Sequence, residues 1–89
     1  MAEFPLRSII REEAFEDELH VLIRDAERAD EYTAGAEYVL ARDPRAGMML
    51  QAGSPEIWSL PMAPVEGKTI WLLYSFDEEA VIFLGLRMM

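Results

Sequence analysis

Two consecutive apolar segments, Thr69–Phe76 and Ala80–Arg87, constrain the fold of this chain more than any other feature. Both are rich in branched and aromatic residues, and the acidic stretch DEE between them predicts a turn. Each segment is apolar at odd and even positions alike, which is typical of a strand that is covered on both of its faces. The pair therefore predicts a β-hairpin whose closing strand lies in the middle of a sheet.

A third strand is predicted just before this hairpin. The segment Ile57–Met62 has the same composition, and the turn-like stretches AGSP and APVEG bound it. The short segment MMLQ at Met48–Gln51 is expected to lead into this strand rather than to form one itself. The second half of the chain is thus predicted to be an antiparallel three-stranded meander.

The first half of the chain has helical periodicity. Apolar residues recur at helical spacing over Glu12–Arg28, and a second helix is predicted after Asp30, a candidate N-cap, to end at Pro44. The alternating segment Phe4–Arg11 predicts a strand before them. The predicted fold is a single α+β domain over residues 1–89, in which an N-terminal strand precedes a two-helix antiparallel hairpin and the meander. The helices are expected to pack on one face of the sheet.

The charge balance limits the classes of partner. Eight Lys and Arg residues stand against 17 Asp and Glu residues, which gives a formal net charge of −9. Such a surface repels a nucleic-acid backbone at long range and favours a basic partner. The absence of cysteine excludes disulfides, thiolate metal sites and a cysteine nucleophile. No cofactor is predicted.

The apolar segments are too short for a membrane span. The stretch Ala80–Leu86 falls far below the length that a bilayer requires. The N-terminal residues MAEFPLRSIIREE carry an acid at position 3 and lack the apolar region of a signal peptide. We therefore predict a cytoplasmic protein that does not bind membranes.

Several local patterns, in order and at compatible spacing from Leu6 to Arg87, resemble the RelE/ParE superfamily of type II toxin–antitoxin toxins. LARDPRAG resembles the end of that family's second helix, IWSLPM resembles its next strand, and GKTIWLLYSFDEEAVIFLGLR resembles its closing hairpin. The resemblance implies a single RelE/ParE-like domain. It also implies a toxin that binds a target, either the ribosome and its mRNA or DNA gyrase, and that a cognate antitoxin neutralises.

The resemblance also indicates which residues would act. Ribonucleases of this superfamily use several basic residues on the open face of the sheet. Pro61 and Trp71 stand where two of their arginines are expected, and Arg87 alone is retained in a matching place. The resemblance thus implies that Arg87 is the one candidate catalytic residue, and that the chain is not a competent ribonuclease. It looks more like the ParE branch, which inhibits DNA gyrase without cutting RNA.

Two further hypotheses remain open at this point. The chain is either an mRNA endonuclease with a rebuilt site, in which Arg45 or Lys68 assists Arg87, or a non-toxic interaction or dimerisation module. Trp58 and Trp71 are candidate binding residues because a tryptophan on a strand packs in a core or an interface, or stacks on a base. A partner protein, a second copy of the chain in a homodimer, or the N-terminal strand with its flanking loops is needed to cover the second face of the hairpin. A phosphate-binding patch would require several basic residues to converge, namely Arg7, Arg11, Arg42, Arg45, Lys68 and Arg87.

Overall fold

A computed structural model describes residues 6–88 of the chain, so Phe4 and Pro5 of the predicted first strand lie outside it. A single 3₁₀ turn at Pro44–Ala46 links the helical half to the strands that follow. The elements in chain order are β1 (Ser8–Arg11), α1 (Glu13–Leu22), α2 (Ala26–Arg42), β2 (Met48–Gln51), β3 (Ile57–Val65), β4 (Lys68–Phe76) and β5 (Ala80–Met88).

Within residues 6–88 the sheet has five strands of mixed direction, in the order β1-β5-β4-β3-β2. Neighbours from β2 to β5 are antiparallel, whereas β1 runs parallel to β5 and pairs with it from Ser8 opposite Ala80 to Arg11 opposite Phe83. The final strand therefore lies inside the sheet, as predicted, and the α+β class is confirmed.

The predicted three-stranded meander is wrong in its strand count. The segment Met48–Gln51 is a strand of its own, in which Met48 pairs with Ser59 and Met49 with Trp58. The loop that follows allows the chain to reverse, so these residues form the outer edge of the sheet instead of extending β3. Four residues give too little periodicity to distinguish an edge strand from a lead-in segment.

The core lies between the helices and one face of the sheet. Ile70, Leu72 and Tyr74 alternate along β4 and are fully buried against helical residues such as Phe15 and Leu40. Each large apolar side chain buried in this way stabilises the fold by about 1.5–3 kcal/mol. Since residues of both helices belong to this one core, both helices cover the same face of the sheet, as predicted.

The boundary between the helices differs from the prediction. Helix α1 ends at Leu22, and Ile23 has extended backbone angles (φ −133°, ψ 104°). Asp25, not Asp30, caps α2, and its carboxylate accepts hydrogen bonds from the backbone N–H groups of Glu27 (3.0 Å) and Arg28 (3.2 Å). Sequence reasoning missed the break because Ala26 continues the apolar spacing of α1, whereas in the structure Ala26 is an exposed residue of the first turn of α2.

Candidate functional site

The face of the sheet opposite the helices is apolar at its centre. Trp71 and Leu73 alternate with the core residues of β4 and therefore point away from the helices. Both side chains are half-buried. On β5 the side chain of Ile82 is also half-buried, and Ile10, which lies opposite it on β1, is 48% exposed. Pro61 lies opposite Trp71 on β3 and is exposed. We call these five residues the outer face.

Arg87 lies at one end of the outer face, opposite Trp71 in the register of β4 and β5. Its side chain turns to the edge of the sheet, where Nη1 donates to Oε2 of Glu18 (3.0 Å) and to the carbonyl oxygen of Leu86 (2.8 Å). The Arg87 and Glu18 side chains are 57% and 40% exposed. An exposed pair of this kind contributes only about 0–1 kcal/mol, so the guanidinium is held weakly.

Trp71 and Lys68 share this end of the sheet with Arg87. Lys68 is exposed at the start of β4 and lines a groove next to the C-terminal half of α1. The indole Nε1 of Trp71 is buried, with no hydrogen-bond partner among residues 6–88. A buried donor without an acceptor lowers the stability of the fold by about 1–3 kcal/mol. The position of the Trp71 indole therefore carries a free-energy cost in the free chain.

Trp58 and Arg45 lie at the opposite end of the sheet, around Phe76. The Trp58 ring is 8% exposed and lies 5.5 Å from the Phe76 ring, and its Nε1 donates to Oε1 of Glu56 (3.1 Å). Trp58 is therefore a core residue here rather than a free stacking surface. The guanidinium carbons of Arg45 and Arg7 lie 5.5 and 5.9 Å from the centre of the Phe76 ring, within the range of cation–π attraction.

The sequence-predicted site residues thus fall into two groups. Lys68, Trp71 and Arg87 lie at one end of β4, and Trp58 and Arg45 lie at the other. Nine extended residues span about 26 Å at 3.3 Å per step, so one phosphate group cannot contact both groups. Sequence reasoning missed Phe76, on which two arginines converge, because nothing in a local pattern reveals that β1 and the 3₁₀ turn meet there.

Arg11 belongs to neither group and holds β1 against the helices. Its guanidinium donates to Oε1 of Glu37 (2.6 Å) and Oγ1 of Thr33 (2.8 Å) and also pairs with Glu16 and Asp30. Burial alone would lower the pKa of Arg11, but the hydrogen bonds and charges of Glu37 and Glu16 outweigh it and raise that pKa. The basic residues of the chain therefore do not converge into one phosphate-binding patch.

Comparison with models of protein families, with curated proteins and with solved structures finds no match for this chain. Within residues 6–88 no cluster of three or more histidine, aspartate or glutamate side chains is placed to hold a metal ion. None of the helices in that range has both the length and the apolar character needed to cross a bilayer. The outer face and its flanking residues are therefore the features on which a functional assignment depends.

Proposed function

We propose that this chain is a protein-binding domain that acts as a toxin-like component of a type II toxin–antitoxin pair. In this proposal it inhibits a target by contact, and a cognate antitoxin protein holds it inactive. The outer face carries the proposal, because it presents apolar side chains on the side of the sheet that neither helix covers. The resemblance of the strand motifs to RelE/ParE toxins supports the toxin part of it.

The composition of the outer face suits a protein partner. Trp71, Leu73 and Ile82 are half-buried in the free chain, and Ile10 and Pro61 are exposed beside them. Each Å² of apolar surface that a partner removes from water contributes about 25 cal/mol. Tryptophan is among the residues most often found at the energetic centre of protein interfaces, so Trp71 is the residue expected to contribute most.

The placement of the basic residues favours binding over RNA cleavage. Cleavage of RNA requires cations that stabilise the negative charge of the transition state and groups that move protons. Arg87 is paired with Glu18, and Arg45 lies at the other end of β4. Trp71 and Pro61 stand where the resemblance expects two arginines. Ribosome-dependent cleavage of transcripts that Arg87→Ala abolishes would favour the endonuclease alternative instead.

The test begins with a search for a small antitoxin-like reading frame beside the gene of this chain. Its product is then co-expressed with the chain, and the complex is followed by co-purification and size-exclusion chromatography. We expect a stable complex with the unchanged chain and its loss with Trp71→Ala. Tyr38→Ala is the matched control, since Tyr38 is an aromatic residue of α2 that is 62% exposed and lies outside the outer face. A complex that survives Trp71→Ala as well as it survives Tyr38→Ala would overturn the assignment of the outer face.

A further inference from the structure

Strand β1 covers only part of the edge of β5. The pairing of these strands ends at Arg11 opposite Phe83, and the next backbone contact runs from the N–H of Glu12 to the carbonyl oxygen of Phe83 (3.0 Å). The chain then leaves the sheet as α1. In the described part of the chain, the segment Leu84–Met88 consequently has no neighbouring strand along the edge of β5 that pairs with β1. We call this segment the free edge.

Two side chains occupy the place of a strand at the free edge. Oε1 of Glu18 accepts a hydrogen bond from the N–H of Leu86 (3.1 Å), as the carbonyl group of a neighbouring strand would. Nη1 of Arg87 donates to the carbonyl oxygen of Leu86 (2.8 Å), as the N–H group of such a strand would. The same nitrogen also donates to Oε2 of Glu18 (3.0 Å). One exposed ion pair therefore satisfies both backbone groups of Leu86.

A groove of about 700 Å³ runs beside the free edge, between α1 and the turn that joins β3 to β4. Half of its lining is apolar, namely Val21, Leu22, Val65, Leu86 and Met88. The charged half consists of the acids Asp17, Glu18 and Glu66 and the bases Arg24 and Lys68. Helix α1 itself carries four carboxylates in ten residues and contains neither lysine nor arginine. Apolar and basic side chains together complement this surface.

We propose that the free edge of β5 is a second binding site, which takes an extended peptide segment rich in basic and apolar residues. The backbone of the segment replaces Glu18 and Arg87 as the partner of Leu86, in the manner of strand addition to a sheet edge. Its apolar side chains cover the groove, and its basic side chains pair with Glu18, once Glu18 is released, and with Asp17. The net charge of −9 draws such a segment to the chain.

This site does not depend on the outer face, and each can fail without the other. An exposed ion pair contributes little to stability, so its displacement opposes binding only weakly. Edge strands that are protected by charged side chains are a known device against unwanted pairing. Here the protecting arginine also repels the basic segment that the acidic helix attracts. Removal of Arg87 is therefore expected to strengthen binding rather than to weaken it.

The test is a titration of the full chain, followed by nuclear magnetic resonance, with a short peptide of alternating lysine and valine. We expect saturable shifts of the backbone amide signals of Leu84–Met88, and no binding of a peptide of alternating glutamate and valine. Arg87→Ala should bind the lysine–valine peptide about tenfold more tightly, because a competing cation is removed. Arg42→Ala is the control, since it changes the net charge equally at the exposed C-terminal end of α2, beside Ala41, which contacts the start of β1 at the opposite end of the sheet from Leu86.

Three results would overturn the proposal. The first is no saturable binding of the lysine–valine peptide to either the unchanged chain or Arg87→Ala. The second is a shift pattern centred on β2 or on the outer face instead of the free edge. The third is an equal gain with Arg87→Ala and Arg42→Ala, which would mean that the peptide responds only to net charge.

Discussion

Tyr74 of the central strand β4 holds Gly47, at the entrance to β2, through its phenolic hydroxyl. The hydroxyl accepts a hydrogen bond from the N–H of Gly47 (3.2 Å) and donates one to the carbonyl oxygen of Pro44 (2.6 Å). Asp43 fixes the same turn, since its carboxylate accepts from the N–H of Arg45 (3.2 Å). A single core side chain thereby sets the position at which the helical half of the chain joins the sheet.

The first prediction concerns the Tyr74 hydroxyl. Tyr74→Phe keeps the ring but leaves the Pro44 carbonyl group and the Gly47 N–H group without this partner. We expect the free energy of unfolding to fall by about 1–3 kcal/mol, as measured by urea denaturation. Tyr38→Phe is the matched control, because Tyr38 is 62% exposed, and it should leave stability unchanged. Equal stabilities of the two variants would contradict the role given to Tyr74.

The second prediction concerns alkaline pH. Burial raises the pKa of Tyr74, and the nearby Asp43 carboxylate raises it further, although the hydrogen bond from Gly47 opposes them. In the unfolded chain the phenol ionises near pH 10, whereas in the folded chain it stays protonated to higher pH. The unfolded state then binds fewer protons, so this contribution is complete below pH 10 and is lost as pH rises towards the folded-state pKa.

We therefore expect the free energy of unfolding to decline above about pH 10, and to decline less steeply in Tyr74→Phe. Burial also raises the pKa of Tyr32, so a residual slope is expected in that variant. Urea denaturation at a series of alkaline pH values measures both slopes. Identical slopes for Tyr74→Phe and the unchanged chain would show that this hydroxyl is not protected in the folded state.

The third prediction compares two glycines. A methyl group at Gly47 would lie 2.5 Å from the Tyr74 hydroxyl oxygen and closer still to the carbonyl oxygen of Ser59. Gly47→Ala should therefore destabilise the fold by about 1–3 kcal/mol. A methyl group at Gly35, inside α2, meets nothing within 4 Å, so Gly35→Ala should stabilise by about 0.5–1 kcal/mol. Opposite shifts in the urea midpoint are expected, and a stabilising effect of Gly47→Ala would contradict the packing described.

The fourth prediction concerns the ion cluster around Arg11, whose side chain is 21% exposed. Arg11→Met removes the cation that pairs with Glu16 and Glu37 and leaves the Glu37 carboxylate beside the buried Thr33 without it. We expect a loss of about 2 kcal/mol in the free energy of unfolding, since these groups become unpaired. Arg28→Met, on the exposed surface of α2, should change stability by less than about 0.5 kcal/mol. Equal losses in the free energy of unfolding for the two variants would mean that the ion cluster does not contribute to stability.

Sequence reasoning succeeded where alternation along a strand determines the structure. The apolar pattern of Thr69–Phe76 predicted a strand with one face against the helices, which the structure confirms, and its parity places Trp71 on the opposite face from Leu72. The cover expected for that second face stays a prediction. It failed at the helix boundary, where both Asp25 and Asp30 are residue types that cap helices, and the structure uses Asp25 because α1 ends at Leu22. The strand Met48–Gln51 was missed because so short a segment carries no clear period.

The candidate sites divide in the same way. The turn of the hairpin brings Trp71 near the end of β5, but a bulge between Leu73 and Tyr74 shifts the register by one residue and places Arg87 opposite Trp71. The sequence indicates the hairpin but not this bulge. The sequence does not indicate the role of Glu18 either, because it depends on where β1 stops beside β5, and that is decided by the exit of the chain into α1. Long-range contacts of this kind leave no signal in a local pattern, which is why Glu18 was absent from the predicted site residues.

Growth of bacteria after induced expression tests the central claim, that the outer face is the binding surface of a toxin-like domain, most directly. The proposal predicts that the unchanged chain and Tyr38→Ala slow growth and that Trp71→Ala at equal expression does not. It also predicts that co-expression of a cognate antitoxin encoded beside the chain restores growth. Normal growth with the unchanged chain, or equal inhibition by Trp71→Ala, would contradict it.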